Sequence, residues 1–481
     1  ASNLGSALTV NVLVPATTYI PVGTLFNIVQ TQTGTAQSGT NGSTVAVTVQ
    51  NPTNPLYTFA AVPLAGTVAG LVTIRAVTVP LQVSLVLPPT VLPPAQPLAA
   101  PVASVLLNLP VTADVTSVLA ALNAISDPAL VVTSEAQLAP STPNLATPFV
   151  AFQASRQFEN LWTNRLDDTM CGQVGLVNEQ SRSCRKSDPH TGWWLKGFGS
   201  VGSQDAQKSF TGYDTQLYGT MMAYDAPLSM RSSSGKTRIG GGFGYARSSI
   251  MGHTFAANSN FDTYKAMAYI GHEDGPWFVH GNASFGWNDY SSKRHIMFPG
   301  IDRTARANYS GQEYTGFVTT GYHFTVNGTT LTPLASLKFT HLDLGGYKEN
   351  GAGDISLNVN SQSYDFLESG LGAKVAHPFA TSGNAYLPKG TLVPEIHTKW
   401  LYEIINPSVK NTSTYVVPGS GSLTTPGMTS DANMFNVGTG LTFLSCECSA
   451  KTWSLEGVYD YDWTPHGYSS HQAMMRLTSS F

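Results

Sequence analysis

From Thr191 to the C-terminus, apolar and polar side chains alternate with a period of two residues. Trp277, Val279, Gly281, Ala283, Phe285 and Trp287 fall on one phase, and Phe278, His280, Asn282, Ser284, Gly286 and Asn288 on the other. The same grammar runs through Ile239 to Tyr245, Phe435 to Phe443 and Trp453 to Trp463, often with an aromatic residue at an end. Period two marks a strand whose faces meet different surroundings. About twelve such segments occur, longer than the roughly 5–6 residues usual in soluble strands. They predict an all-β fold: a twelve-stranded antiparallel transmembrane β-barrel with lipid outside, a polar lumen and girdles at both interfaces. A large soluble β-sandwich also alternates, but the sparse charge on the apolar faces and the strand length favour the barrel.

Upstream the pattern differs. Residues 1–78 carry short alternating runs such as Leu8, Val10, Val12 and Val14, cut by Pro15, Pro21, Gly34 and Asn41-Gly42. Short strands between such turns fit the end of a stacked β-helix or a small β-sandwich. Residues 79–145 read as a Pro- and Leu-rich linker with a helical piece near Val102 to Leu109. A second small helix there has Asp114 as N-cap and Val115, Val118, Leu119, Leu122 and Ile125 on one face, and ends before Pro128. Eight prolines between Ala76 and Ala113 rule out an α-helical membrane span in that uncharged stretch.

Residues 146–172 read as one helix, with Thr147 as N-cap, Pro148 at its first position and Cys171-Gly172 as its stop. At about 1.5 Å per residue it reaches roughly 36 Å, enough to cross a bilayer core of about 30 Å. Phe158, Trp162 and Leu166 share one face, while Arg156, Glu159, Arg165 and Asp168 lie elsewhere. That is too polar for lipid, so the helix is expected to cross inside the barrel formed by residues 173–481.

The composition of the 481-residue chain agrees. Only 11% of residues are charged, with 25 Lys and Arg against 29 Asp and Glu, where a soluble protein carries roughly 25%. Four charged side chains fall in residues 1–150: Arg75, Asp114, Asp127 and Glu135. A net charge of -4 offers no basic face for nucleic acid. The absence of an initiator Met and of a charged leader at Ala1 suggests a processed or truncated product.

The strand segments resemble, in order, those of the autotransporters of type V secretion. The residues that carry the likeness are GWWLKGFGS at Gly192 to Ser200, YDTQLYGTMMAYD at Tyr213 to Asp225, IGGGFGYARS at Ile239 to Ser248, the stretch Tyr269 to Arg294, and LTPLASLKFTHLDLGGY at Leu331 to Tyr347. Upstream, the Tyr19 to Val29 stretch resembles the closing turns of a β-helical passenger. The resemblance implies a translocator that anchors and displays its own N-terminal passenger at the surface of a Gram-negative cell. It implies outer-membrane lipid, the β-barrel assembly machinery and periplasmic chaperones as partners, a monomer in the membrane, and no cofactor. The terminal Phe481, with Leu477 and Met475 on its face, resembles the C-terminal signal read by that machinery. Some family members cleave the passenger at an Asn-Asn pair in the helix; here Asn160-Leu161 and Asn164-Arg165 stand instead, and an attached passenger is expected.

Within the lumen, Arg238, Lys265, Glu395, Lys399, Glu403, Glu456, Asp460, Asp462 and Arg476 are expected to face inward and supply partners for the helix charges. The helix would then plug the pore, and deleting residues 147–172 would raise ion conductance. Cys171, Cys184, Cys446 and Cys448 are expected in an oxidising compartment, with three disulfide connectivities open. Asp462, His466 and His471, near the outer end of the last hairpin, leave a remote alternative of a barrel-rim hydrolase, and a passive porin or surface adhesin is the other rival. No G-x-S-x-G or H-E-x-x-H occurs, and no enzymatic role or metal site is expected. The glycines at Gly240 to Gly242 are expected to make room for the helix.

Overall fold

The computed structural model describes residues 98–106, 108–169, 192–207, 210–228, 235–382, 390–444 and 453–479, with eight short strands inside residues 2–85. Among those short strands, Ala7–Asn11 pairs in parallel with Ala46–Gln50, as successive turns of a stacked β structure do.

Twelve long strands follow, each antiparallel to its neighbours. They are β1 (Gly192–Gln204), β2 (Tyr213–Leu228), β3 (Lys236–Gly252), β4 (Asn258–Asp274), β5 (Trp277–Phe298) and β6 (Ile301–Tyr322). The second half comprises β7 (Thr329–Leu344), β8 (Gln362–Ala376), β9 (Gly390–Ile405), β10 (Asn433–Leu444), β11 (Trp453–Trp463) and β12 (Tyr468–Ser479). Strand β12 pairs with β1 from Tyr468 opposite Gln204 to Leu477 opposite Leu195, which closes the barrel and leaves no sheet edge.

The alternation decides which way each side chain points. Trp193, Phe243, Tyr264, Trp277, Val279 and Ile396 are exposed on the outside, where lipid lies, while Lys196, Asp225, Lys265, Glu313, Lys338 and Arg476 are buried inside. Outward Trp277 and Trp287 stand ten residues apart on β5. At about 3.4 Å per residue and a tilt near 40°, that separation spans about 25 Å, the height of an outer-membrane apolar band. Strands β5 and β6 continue well past Trp287 to a tight turn at Gly300 (φ 86°). On the opposite rim the connections include a two-residue turn after Asp274 and one at Asn327-Gly328. Short turns mark the periplasmic side and long excursions the extracellular side.

The stretch expected to be a linker is largely folded. Helices α1 (Ala99–Leu106), α2 (Ala113–Asn123) and α3 (Pro128–Ala136) pack against the β5–β6 extension, the β7–β8 loop and the β9–β10 excursion. The N-cap of α2 is Thr112, whose hydroxyl accepts from the Val115 amide, and not Asp114. Asp114 sits in the first turn instead, where its charge suits the positive helix end. Asp127 caps α3 with Pro128 in its first turn. Between Ile404 and Asp431, Lys410–Tyr415 and Ser422–Pro426 form a hairpin in a four-stranded sheet with Leu357–Val359 and Tyr347–Lys348.

Helix α4 spans Thr142–Thr169, so it begins before the expected start at Thr147 and runs through Pro148. Pro143 fits the first turn at no hydrogen-bond cost. Pro148 removes one intrahelical bond, and the Thr147 hydroxyl donates to the Pro143 carbonyl at 2.9 Å. Burial of Leu145, Ala146, Phe149 and Val150 outweighs that single lost bond.

Candidate functional site: the interface between helix α4 and the barrel lumen

The centre of this interface is Asp225 on β2, which is fully buried. It accepts from Arg165 Nε at 2.9 Å and Nη2 at 3.1 Å, from Arg238 Nη1 at 2.6 Å and from the Tyr269 hydroxyl at 2.9 Å. One carboxylate thus joins α4 to β3 and β4. Trp194 Nε1 donates to the same Tyr269 hydroxyl at 2.9 Å, bringing in β1. A buried carboxylate is tolerated when every lone pair meets a donor, and here guanidinium groups supply most of them.

Higher in the lumen, Arg156 forms an ion pair with Glu368 on β8. Lys265 Nζ donates to Glu313 at 2.7 Å and to Ser155 of α4 at 2.8 Å. Lys338 Nζ donates to the Phe152 carbonyl at 3.3 Å and lies 4.4 Å from the centre of that residue's ring. Glu159 accepts from Trp162 Nε1 at 2.7 Å and from Asn282 at 2.5 Å. Aromatic packing complements these bonds: Phe158 meets Phe198 edge-on at 5.2 Å, and Trp162 stacks on Tyr269 at 5.7 Å.

Glycines make room for the helix, but not the expected ones. A Cβ on Gly244 would stand 2.4 Å from the Phe158 ring, and one on Gly271 would stand 2.9 Å from Leu166. Within the triplet, Gly240 accommodates the Tyr269 ring, Gly242 abuts Ala223, and Gly241 meets no helix atom.

The other expected residues divide into two groups. Arg238 and Lys265 join networks that include α4. Glu456 is bound instead by Lys196 at 3.5 Å and Arg476 Nε at 3.2 Å, beside the β12–β1 closure. Glu395 pairs with Lys374 at 3.5 Å, Asp460 pairs with His397 at 2.7 Å, and Lys399 lines a crevice beside them. Asp225, Glu313, Glu368 and Lys338 were not singled out from sequence, although their inward phase was readable from the alternation. Met475 and Leu477 face outward on β12. Phe481, Cys171, Cys184, Cys446, Cys448 and the side chain of Asp168 lie outside the described residues.

The rim trio does not assemble. His466 binds Asp431, His471 accepts or donates to the Tyr459 hydroxyl at 2.6 Å on the outer face, and Asp462 points inward to Asn436 and Gln472. Adjacent strand residues on opposite faces cannot share a substrate.

Outside the membrane, the cap has its own ionic frame. Arg294 is buried, pairs with Glu349 and donates to the Gln137 carbonyl at 2.7 Å. Arg303 binds Asp114 at 2.6 Å, and this contact holds the Asp114 carboxyl below its ordinary value. Glu135 on α3 is buried, and desolvation raises its carboxyl from 4.5 to about 8. The folded cap therefore keeps a proton that the unfolded segment has already released. Cap stability falls as pH rises through the window from about 4.5 to about 8 and stays at its lower level above it. Amide exchange in α2 and α3 should accelerate between pH 5 and pH 9 beyond the intrinsic base-catalysed rate, and Glu135→Gln should abolish that excess.

Residues 193–460 match the family model of the autotransporter beta-domain. The chain belongs to the autotransporter family. The extracellular serine protease of Serratia marcescens is 25% identical over 260 residues, which cover 54% of this chain and 24% of that protein. Outer membrane protein A of Rickettsia rickettsii is 25% identical over 316 residues, covering 62% of this chain and 13% of that protein. The chain thus spans a quarter or less of the curated relatives it matches. Among solved structures, the translocator domain of autotransporter NalP from Neisseria meningitidis matches 70% of this chain and 99% of its own length, at 16% identity and a TM-score of 0.48. Autotransporter barrels lie in the outer membrane, and the outward apolar band of this barrel fits that location.

Proposed function

We propose that this chain is the membrane end of a larger surface protein, and that it anchors residues 1–97 and whatever precedes them on the outside of the cell. The observation that carries this reading is the course of α4. It enters a closed barrel beneath the extracellular cap and runs the length of the lumen before β1 begins at the periplasmic rim. The chain upstream of Leu98 therefore departs from the cap side. The barrel's part is transport and anchorage, with no chemistry of its own, and its insertion relies on the assembly machinery and chaperones that serve other outer-membrane barrels. In domain terms, residues 1–78 are passenger, the cap follows, and α4 with the barrel forms the anchor.

Protease shaving of intact cells tests this. An epitope placed after Gly42 should vanish, while one in the turn at Asn327 stays protected inside a barrel fragment. Survival of the Gly42 epitope until the outer membrane is broken would put the N-terminal region in the periplasm and overturn the proposal.

A further inference from the structure

Helix α4 does not fill its barrel. Its close contacts are mainly with β2, β3, β4 and β5 on one side of the lumen. A stripe of the helix facing elsewhere, made of Gln153, Asn160 and Thr163, is only partly buried. Beside this stripe runs a narrow crevice of about 90 Å³, lined by polar and apolar side chains of β5 to β11 and reaching Thr332, Lys374 and Glu395 near the periplasmic rim. A second, smaller crevice of about 20 Å³ lies along Gln153 and Gln157 and reaches Thr215 and Tyr468 at the outer ends of β2 and β12. The two crevices share Arg156 and Asp462. The Arg156–Glu368 ion pair lies where the two meet, and an ion pair is a poorer barrier to water and small ions than a packed apolar layer.

The outer mouth is different in kind. Val102, Leu106, Val118, Leu119 and Leu122 of α1 and α2 form one apolar cluster with Ile296, Phe298, Ile301, Ile355, Tyr415 and Leu423 of the extracellular strands and loops. Moving an ion through a packed apolar layer costs several kcal/mol even after relaxation. A small pocket of about 30 Å³ at the seam between cap and rim, near Ala139 and Thr254, shares no lining residue with either lumen crevice.

We infer that the watertight closure of this barrel is the extracellular cap of residues 98–139, and that α4 alone is a leaky plug. The cap is built from chain that lies upstream of α4, so it can form only after that chain has emerged.

The full chain in planar bilayers tests this. Wild type should be silent, and Leu119→Asp, which puts a charge into the cap cluster and leaves α4 untouched, should conduct in discrete steps. Arg156→Ala alone should remain silent, and the double variant should show a larger step than Leu119→Asp. Should Leu119→Asp lose the gel shift of a folded barrel, Arg303→Ala, which releases Asp114 at the cap margin, serves instead and should raise the open probability at least tenfold. Folded cap variants as silent as wild type would overturn the inference, as would a wild type that already conducts. Surface display of the Gly42 epitope should be unchanged in these variants, which separates this outcome from the display reading.

Discussion

Asp225→Ala should lower the stability of the assembled barrel and helix by about 3–5 kcal/mol, the typical cost of breaking a buried ion pair from one side. The magnitude follows from what is left behind. Arg165 and Arg238 both direct guanidinium donors at this carboxylate, and the Tyr269 hydroxyl adds a third. Removing the acid takes away the carboxylate that two buried guanidinium groups share in a low-dielectric lumen. The measurement is the urea midpoint for loss of the folded gel mobility, compared with Arg165→Met/Asp225→Ala. The double variant, which also removes one of the two buried charges that faced Asp225, should recover a substantial part of the loss. Equal midpoints for Asp225→Ala and wild type would show that the network contributes nothing.

Gly244→Ala should displace helix α4 within the barrel. The added Cβ would lie 2.4 Å from the Phe158 ring, which is held edge-on against Phe198 and under the Lys265 ammonium at 5.2 Å. With the ring fixed on two sides, the helix must shift, at a cost of about 1–3 kcal/mol for overpacking. The shift should expose α4 while β1 to β12 stay paired. Trypsin added to the detergent-solubilised protein should then cut after Arg156 or Arg165 in the variant and leave both intact in wild type. The alanine variant of Gly241, which faces outward beside no helix atom, is the matched control. Cleavage in that control, or its absence in Gly244→Ala, would refute the close-approach account.

Much of the barrel was legible in the chain because its cause is local. Every second residue of a lipid-facing strand must be apolar, so the pattern around Trp277 to Trp287 declares both the strand and its outward face without reference to any partner. The polarity of Arg156 to Asp168 likewise declares a helix that avoids lipid. Helix boundaries were less legible. Pro148 reads as a start signal, yet packing of Leu145 and Phe149 carries the helix through it.

What the sequence by itself determined was the class of each segment: twelve strands, their lipid and lumen faces, and a polar helix too charged for any place but the interior. Only the tertiary structure decided the partners. The register between strands and the rotation of α4 bring Asp225 and Glu368 to the helix and leave Glu395, Glu456 and Asp460 to pair within the wall. The cap shows the same division: Val118, Leu119 and Leu122 are visible as an apolar face, but the surface that covers them comes from strands and loops roughly 175 to 300 residues downstream. Alternation is set by each residue's own surroundings, whereas pairing depends on contacts between positions far apart in the chain, and no local pattern records those.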